Sequence, residues 1–254
     1  MRFRVLGSGS RGNATIIDSG STRLLVDNGF ALKEIKSRAE SIGFELDQLD
    51  AVLITHEHSD HIKGVGALAR HYNLPVHATH GTLRTGKCGR LETVHTFLPH
   101  ETAFRIGDIE VQPVPVPHDA NEPCQFVFTA NSTRLGVLTD LGHITPVITR
   151  HFEQLDLLLL ECNHDMDMLE QGPYPRSLQR RVGGNQGHLN NHQAMSLLNN
   201  IQTEQLKQLV LGHLSEQNNH PEKVSESIYQ HCEPVADRFS ILKQDSCSEW
   251  FGVV

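Results

Sequence analysis

Apolar residues occur along this chain in short runs, separated by polar turns, and many of the runs are rich in β-branched and aromatic side chains. Such runs are typical of β-strands. The predicted strands are Phe3–Leu6, Ala14–Ile17, Arg23–Val26, Ala51–Thr55, Val76–Ala78, Ala103–Ile106, Glu110–Val116, Gln125–Thr129, Leu135–Thr139, Leu157–Leu160, Lys207–Leu211, Phe239–Lys243 and Trp250–Val254. Helical spacing of apolar residues predicts five helices, which are Ala31–Ser41, Ile62–Tyr72, Ile144–His151, Asn191–Asn200 and Pro221–His231.

The order of these elements indicates the fold class. The first third of the chain is rich in strands, and helices then alternate with strands to the end. No fixed-period repeat, long linker or block of charge divides the sequence. We therefore expect an α/β fold, with sheets and helices stacked in one domain over residues 1–254. Residues 168–187 form the longest irregular stretch, and loops of that length in compact domains are usually functional or disordered.

A glycine-rich segment near the start, Gly7 to Gly12, fits the pattern G-x-G-x-x-G and follows a predicted strand. A dinucleotide site would need a helix next. The sequence instead continues with two strand-like runs around a Gly-Ser turn, which is the pattern of a β-hairpin. We interpret the segment as a tight turn between strands, whose backbone amides could line one wall of a site.

Composition narrows the function classes. The 254 residues carry 22 Lys and Arg against 30 Asp and Glu, a formal charge of −8, which excludes a generally basic protein that coats nucleic acid but leaves room for a local basic groove. The longest apolar run, Leu157 to Leu160, is far too short to span a membrane. The N-terminus lacks the apolar centre of an export signal, so we expect a cytoplasmic protein without a membrane partner.

Cysteine and histidine give opposite signals about metals and cross-links. The five cysteines are an odd number and include no C-x-x-C pair, which argues against a disulfide framework and a zinc ribbon. The 17 histidines outnumber the phenylalanines, tyrosines and tryptophans together. Because neutral imidazole is the commonest metal ligand in proteins, the composition points towards a metal site.

The metal hypothesis rests mainly on the segment from Thr55 to His61, which contains three histidines and an aspartate in six residues. It follows a predicted apolar strand and precedes a predicted helix, which is where α/β proteins place their sites. In extended chain, His56 and His58 point the same way and can hold one metal. As the chain turns into the helix, Asp60 and His61 can hold a second metal beside the first.

This H-x-H-x-D-H segment is the signature of the metallo-β-lactamase superfamily, which the chain resembles over its whole length. The resemblance implies a four-layer αβ/βα sandwich with two divalent metals between the sheets. It also implies that three later strand-end residues complete the ligand set: His118 for the first metal, His213 for the second, and Asp140 as the bridging carboxylate. Asp27 resembles the family's supporting aspartate, which orients a ligand histidine through its far nitrogen.

Further motifs narrow the resemblance to one branch. The ligand set is similar to that of dinuclear hydrolases. Position 58 is histidine here, whereas the family's di-iron oxygen reductases have glutamate there. Position 140 is aspartate, whereas the Cys-containing lactamases have cysteine. The segments 9–13, 161–165, 172–175, 187–191 and 212–221 resemble the YycJ/WalJ-like metal-dependent phosphodiesterases, to which 5′-to-3′ DNA exonuclease activity is attributed. One departure is Asn190, where that branch usually has serine.

The segment beginning Gly187-His188 is also similar to ribonuclease Z. That resemblance implies that His188 donates a proton or clamps the phosphate, with Glu161 orienting it. In dinuclear chemistry the two metals share a hydroxide, and Asp60 joins His188 and Glu161 as the predicted catalytic residues. Further candidate substrate contacts are His164, Asp165, Arg176 and Asn190. Arg180 and Arg181 crowd the same stretch and could contact a phosphate or form a solvated face.

The expected substrate is a phosphodiester, DNA or RNA. A small-molecule hydrolase with the same metals, such as a cyclic phosphodiesterase, lactonase or thioesterase, is the alternative. Zinc is the default for the superfamily, and the carboxylates also suit manganese or iron. The sequence leaves substrate length, digestion polarity and oligomeric state open.

Overall fold

A computed structural model of the protein describes residues 1–100 and 102–253. Fourteen strands lie within these residues: β1 Arg2–Gly7, β2 Ala14–Asp18, β3 Arg23–Val26, β4 Ala51–Leu53, β5 Val76–Thr79, β6 Val94–Phe97, β7 Phe104–Ile106, β8 Ile109–Pro115, β9 Cys124–Ala130, β10 Thr133–Leu138, β11 Leu157–Glu161, β12 Gln208–Gly212, β13 Phe239–Ile241 and β14 Phe251–Gly252. The predicted last strand included Val254, which lies outside the described residues.

The same residues contain nine α-helices: α1 Leu32–Ser41, α2 Ser59–Ile62, α3 Val65–Tyr72, α4 His80–Arg84, α5 Pro146–His151, α6 Met166–Gln171, α7 Arg176–Val182, α8 Asn191–Asn200 and α9 Pro221–His231. Short 3₁₀ turns occupy Leu46–Gln48 and Glu233–Val235. None of the helices described is long and apolar enough to cross a bilayer.

The strands form two seven-stranded mixed sheets. The first sheet has the order β14-β1-β2-β3-β4-β5-β6, and the second has the order β13-β12-β11-β10-β9-β8-β7. Strands β3 to β6 run parallel to one another in the first sheet, as do β10 to β13 in the second. The carboxyl ends of parallel strands meet at one edge of a sheet, so each sheet offers one edge at which functional loops gather.

Three hydrophobic clusters separate four layers. One cluster lies between the sheets and includes Phe3, Leu53, Phe126 and Leu159. A second packs α1 to α3 on the outer face of the first sheet, and a third packs α5, α8 and α9 on the outer face of the second. Because side chains alternate along a strand, β11 contributes to both faces of its sheet. The predicted αβ/βα sandwich is confirmed, while the single-domain organisation stays a prediction.

Two predicted regions differ from the structure. The predicted helix Ile62–Tyr72 is divided into α2 and α3 because the backbone at Gly64 packs against the preceding loop, where a Cβ on Gly64 would stand 1.7 Å from the carbonyl oxygen of Phe30. The stretch 168–187 is not irregular throughout, since most of α6 and all of α7 lie in it. Helix α7 has no buried residue, so the apolar periodicity that reveals a helix is missing there.

Candidate metal centre

The predicted metal ligands converge at the edge where the parallel strands of the two sheets end. Four groups of side chains have potential ligand atoms within 4.8 Å of one another. These groups are His56, His58 and His118; His56, His61 and Asp140; Asp60, His61 and His213; and Asp140, Glu161, His188 and His213. The structure therefore brings together all seven predicted ligands and both residues assigned to proton donation and its support.

Sharp strand-end turns place two of these side chains and the supporting Asp27. Asp27 follows β3, Asp140 follows β10 by two residues, and His213 follows β12, and all three have left-handed backbone with φ of 60°, 56° and 55°. Side chains other than glycine rarely adopt this conformation, and such strained residues cluster at functional sites. The turns direct Asp140 and His213 into a common cleft and Asp27 towards the outer nitrogen of His61, which no pattern of apolar residues could have indicated.

The five histidines among the predicted ligands are anchored on the side that faces away from the cluster. In each ring one nitrogen hydrogen-bonds to a neighbouring oxygen, which leaves the other nitrogen directed into the cluster. The outer contacts are His56 Nδ1 to Thr55 Oγ1 (3.0 Å), His58 Nε2 to the Asp119 carbonyl (3.2 Å), His61 Nδ1 to Asp27 Oδ2 (2.8 Å), His118 Nδ1 to the Gly187 carbonyl (3.0 Å) and His213 Nδ1 to Glu161 Oε1 (2.7 Å). Outer contacts of this kind fix the ring orientation and tautomer of a metal ligand.

The nitrogen and oxygen atoms that face the interior of the cluster are better suited to binding a cation than to hydrogen-bonding with one another. His56 Nε2, His213 Nε2 and Asp140 Oδ2 are buried without a hydrogen-bond partner. Buried polar atoms are nearly always paired, so three unpaired atoms in one cluster indicate a missing partner. Imidazole nitrogens and carboxylate oxygens are the donor set that zinc, manganese and iron accept. The described residues thus fit the expected divalent metals.

Buried charges in the cluster shift several pKa values. Burial raises the pKa of Asp140, but His213 and His61 outweigh it and hold that pKa well below its usual range. Burial lowers the pKa of His213, yet Asp140 and Asp60 among its neighbours raise it to about 10. Burial lowers the pKa of His56 well below normal, which keeps that imidazole neutral. Metal binding must displace the protons on the charged histidines, so loading is expected to release protons.

Glu161 ties the cluster to His188. It ends β11, is fully buried, and its Oε1 accepts from His213 Nδ1 at 2.7 Å and from His188 Nδ1 at 2.8 Å. Its Oε2 accepts from the backbone amide of Leu189 at 3.0 Å. Burial raises the pKa of Glu161, but the two histidines lower it to about 2. One carboxylate therefore orients a candidate ligand and the candidate proton donor together.

The glycine-rich turn between β1 and β2 forms one wall of the centre, through side chains as well as backbone. The backbone N–H groups of Gly9, Gly12 and Asn13 donate hydrogen bonds to other oxygen atoms of the protein. Asn13 Nδ2 lies 3.0 Å from His61 Nε2 and 3.3 Å from Asp60 Oδ2, and Ser8 Oγ accepts from the backbone amide of His213 at 2.8 Å. A strand rather than a helix follows, so the interpretation as a hairpin turn is confirmed.

A cleft of about 380 Å³ opens onto the cluster, and we call it the metal cleft. His58, Asp60, Asp140, His188 and His213 line it. Its remaining walls carry residues outside the predicted site, namely Ser10, Ser59, Lys87, Asp119, Tyr174, Leu178, Arg181, Val182 and Gly187. The sequence signal for Asp119 is its place directly after His118, and the signal for Lys87 is its place among three cations at three-residue spacing, with Arg84 and Arg90.

The four predicted substrate contacts lie elsewhere. His164, Arg176 and Asn190 line a neighbouring pocket of about 590 Å³, which we call the side pocket. Asp165 is the N-cap of α6, where its Oδ1 accepts from the Met168 amide at 3.0 Å. The arginine in the metal cleft is Arg181, whose Nε donates to Asp119 Oδ2 at 2.6 Å. Contact of the four predicted residues with substrate stays a prediction.

Asp27 offers a test of the outer contacts. Its Oδ2 accepts from Thr55 Oγ1 at 2.7 Å as well as from His61 Nδ1, and it is buried. We expect Asp27→Asn, which tolerates the left-handed backbone, to lower zinc affinity about 10- to 100-fold in competition with a chromophoric chelator. Asp156→Asn, a carboxylate paired with Lys207, is the control and should leave the affinity unchanged. Equal affinity in both variants would contradict the role of Asp27.

The two-sheet sandwich and the histidine-aspartate cluster at its edge define a metallohydrolase of the β-lactamase type. A sequence model described as "Beta-lactamase superfamily domain" matches residues 22–214. The chain belongs to this superfamily.

Relatives with assigned activities are similar over most of the chain. It is 35% identical over 233 residues to exodeoxyribonuclease YycJ of Bacillus anthracis, covering 91% of this chain and 88% of the relative. It is also 35% identical over 224 residues to exodeoxyribonuclease WalJ of Streptococcus pneumoniae D39, covering 86% and 83%. Together with the superfamily match, these relatives make the chain a metal-dependent hydrolase, and the branch resemblance is confirmed.

A solved structure extends the likeness in fold. The short form of human tRNase Z superimposes with a TM-score of 0.65 over 98% of this chain and 99% of its own, at 15% sequence identity. Identity this low supports a shared fold alone. The arrangement of layers described above is therefore shared by the two proteins, and fold alone does not decide the substrate.

Proposed function

We propose that this protein is a dinuclear metal-dependent phosphodiesterase that degrades DNA as an exonuclease. The observation that carries the proposal is the anchoring of His188 by Glu161 beside a complete set of candidate ligands. Two metal sites can be filled without His188, which leaves its imidazole at the cleft for chemistry. The 35% identity to two exodeoxyribonucleases supports DNA as the substrate.

Two metal sites are assigned within the cluster. His56, His58 and His118 would hold one ion, and Asp60, His61 and His213 the other. Asp140 is the proposed shared ligand, in support of which its oxygens lie 3.3 Å from His61 Nε2 and 3.5 Å from His213 Nε2. When bound, two such ions supply positive charge for the attacking and leaving oxygens of a phosphodiester and lower the pKa of water. Zinc is the proposed metal, with manganese or iron as rivals.

Side chains at the cleft would supply the proton for the leaving group and bind the phosphate. His188 Nδ1 is held by Glu161, and its pKa is raised because Glu161 and Asp140 outweigh the lowering by burial. A protonated His188 can donate its proton to the leaving oxygen. Lys87 and Arg181 both border the cleft, but Arg181 is paired there with Asp119, so Lys87 is the residue that would place positive charge beside the phosphate of the substrate. This local positive charge would attract a phosphate although the chain as a whole has a formal net charge of −8.

The small volume of the metal cleft favours a second candidate function, the hydrolysis of small molecules such as cyclic phosphodiesters, lactones or thioesters. A cleft of about 380 Å³ is at the lower end of the range for small-molecule sites. It would use the same metal cluster, and only the substrate would differ. The cytoplasmic location remains a prediction for either function.

One experiment separates the two functions. The metal-loaded protein is assayed on bis(p-nitrophenyl) phosphate, a p-nitrophenyl thioester, and end-labelled single- and double-stranded DNA and RNA, with metal content measured on the same sample. We expect about two metals per chain, hydrolysis of the diester, and stepwise shortening of DNA from one end. Cleavage of the thioester alone would favour the small-molecule hydrolase. A metal-free protein after metal-supplemented purification would contradict both.

A further inference from the structure

The side pocket lies between α6 and α7, next to the metal cleft. Helix α7 separates the two, since Arg176, Gln179, Arg180 and Gly183 border the side pocket while its other face, with Arg181, borders the metal cleft. The two spaces approach each other near His188, which lines the cleft, and Asn190, which lines the pocket. Two residues of extended chain span at most about 7 Å, so the pocket begins close to the candidate proton donor.

The charge of the side pocket suits a phosphate. Among the described residues, Arg176 and Arg180 form no ion pair and no side-chain hydrogen bond, although both line the pocket. Most other arginines in the chain have partners, such as Arg181 with Asp119 and Arg38 with Glu34. An unpaired pair of guanidinium groups in one pocket is suited to binding a phosphate through charge-assisted hydrogen bonds. Glu170, also on the rim, carries the opposing charge.

The remaining lining suits a nucleobase. Met166 is one of four large apolar side chains that are exposed among the described residues, at 48%, and Leu169 lies beside it in the pocket. A thioether adapts to flat apolar partners. His164 is 2% exposed and lines the pocket, and its Nδ1 donates to Asn163 Oδ1 at 3.3 Å. Its Nε2 has no hydrogen-bond partner among the described residues and can accept one from a base.

We propose that the side pocket binds one nucleotide of the substrate strand, next to the nucleotide whose phosphate enters the metal cleft. Its base lies against Met166 and Leu169, and its phosphate binds Arg176 and Arg180. The volume of about 590 Å³ is in the range of pockets that take a single small molecule. This inference rests on the proposed nuclease function and adds a subsite that grips the strand beyond the scissile bond.

The test is the double variant R176Q/R180Q, compared with R150Q, which removes another arginine without a described partner, on α5. Initial rates on single-stranded decathymidylate are measured over a series of salt concentrations, with bis(p-nitrophenyl) phosphate assayed alongside. We expect the double variant to raise the KM for DNA roughly 10- to 100-fold. The dependence of log(1/KM) on log[salt] should become shallower by about 0.7, the value for one lost phosphate contact on a single strand. R150Q should match the wild type.

Three results would overturn the inference. An unchanged KM and salt dependence in R176Q/R180Q would show that DNA does not enter the side pocket. A loss of the same size on the small diester would show that α7 had shifted and that the pocket itself is not the cause. A wild type that hydrolyses the diester but not DNA would refute the proposed nuclease function, and the subsite would fall with it.

Discussion

Asp60→Ala should abolish phosphodiester hydrolysis while leaving the fold intact. Asp60 Oδ2 lies 3.4 Å from His61 Nε2 and 3.9 Å from His213 Nε2, and its pKa is lowered because His61 and His213 outweigh the effect of burial. Without this carboxylate the second metal site loses one of its three terminal ligands. The stabilisation by two metals would be lost, and we expect the rate on bis(p-nitrophenyl) phosphate to fall to background.

The fold should remain intact because Asp60 contributes to it through its backbone and not through its side chain. Its carbonyl oxygen accepts from the Asn13 amide at 2.7 Å, which alanine preserves, and the three apolar clusters lie away from its side chain. Thermal unfolding followed by circular dichroism should remain cooperative. Asp167→Ala, at an exposed carboxylate in the first turn of α6, is the control and should keep full activity. Loss of the cooperative transition in Asp60→Ala would show that the metals are structural instead.

His188→Ala should lower turnover on DNA by roughly 10²- to 10⁴-fold, the usual scale for a lost general acid. Metal content should not change, since the seven other candidate ligands remain. The side chain is 22% exposed at the cleft, and its Nδ1 is 2.8 Å from Glu161 Oε1. The defect should be much smaller on bis(p-nitrophenyl) phosphate, because p-nitrophenolate leaves without protonation.

The pH profile gives a second measurement on His188. Its raised pKa means that the protonated form persists above the ordinary value for histidine. If that form is the acid, the rate on DNA falls as the pH rises through this pKa, and the alkaline fall disappears in His188→Ala. Equal defects on both substrates would indicate phosphate binding in place of proton donation. Loss of metal would make His188 a ligand, which its place 3.7 Å from Asp140 Oδ1 also allows.

Much of the candidate centre was predictable because its residues follow strands. His56 to His61 come after β4, and His118, Asp140 and His213 lie just beyond β8, β10 and β12. Strands are revealed by their apolar, β-branched runs, and residues at the ends of parallel strands gather at one edge. The ordering of polar residues after such runs was therefore enough to nominate the cluster, once the resemblance to a family supplied the expected order.

Elements without an apolar signature were not predictable. Strand β6 was missed because three of its four residues are exposed, so no apolar run marks it. Helix α7 has no buried residue, so the sequence predicts only an irregular loop there. Helix α4 is only five residues long and has one buried residue. In each case the element is held by tertiary contacts, which composition and periodicity do not record.

The sequence predicted the α/β class from its local apolar runs, and its resemblance to a family added the two-sheet architecture and the choice of candidate metal ligands among the polar residues after those runs. Only the tertiary structure decided which cavity each arginine enters. Helix α7 turns Arg181 towards the metal cleft and Arg176 and Arg180 towards the side pocket, since residues one turn apart share a face while adjacent residues do not. The sharing of Glu161 between His188 and His213 was likewise settled in three dimensions, where residues 27 and 52 positions away along the chain come within hydrogen-bonding distance of one Glu161 oxygen.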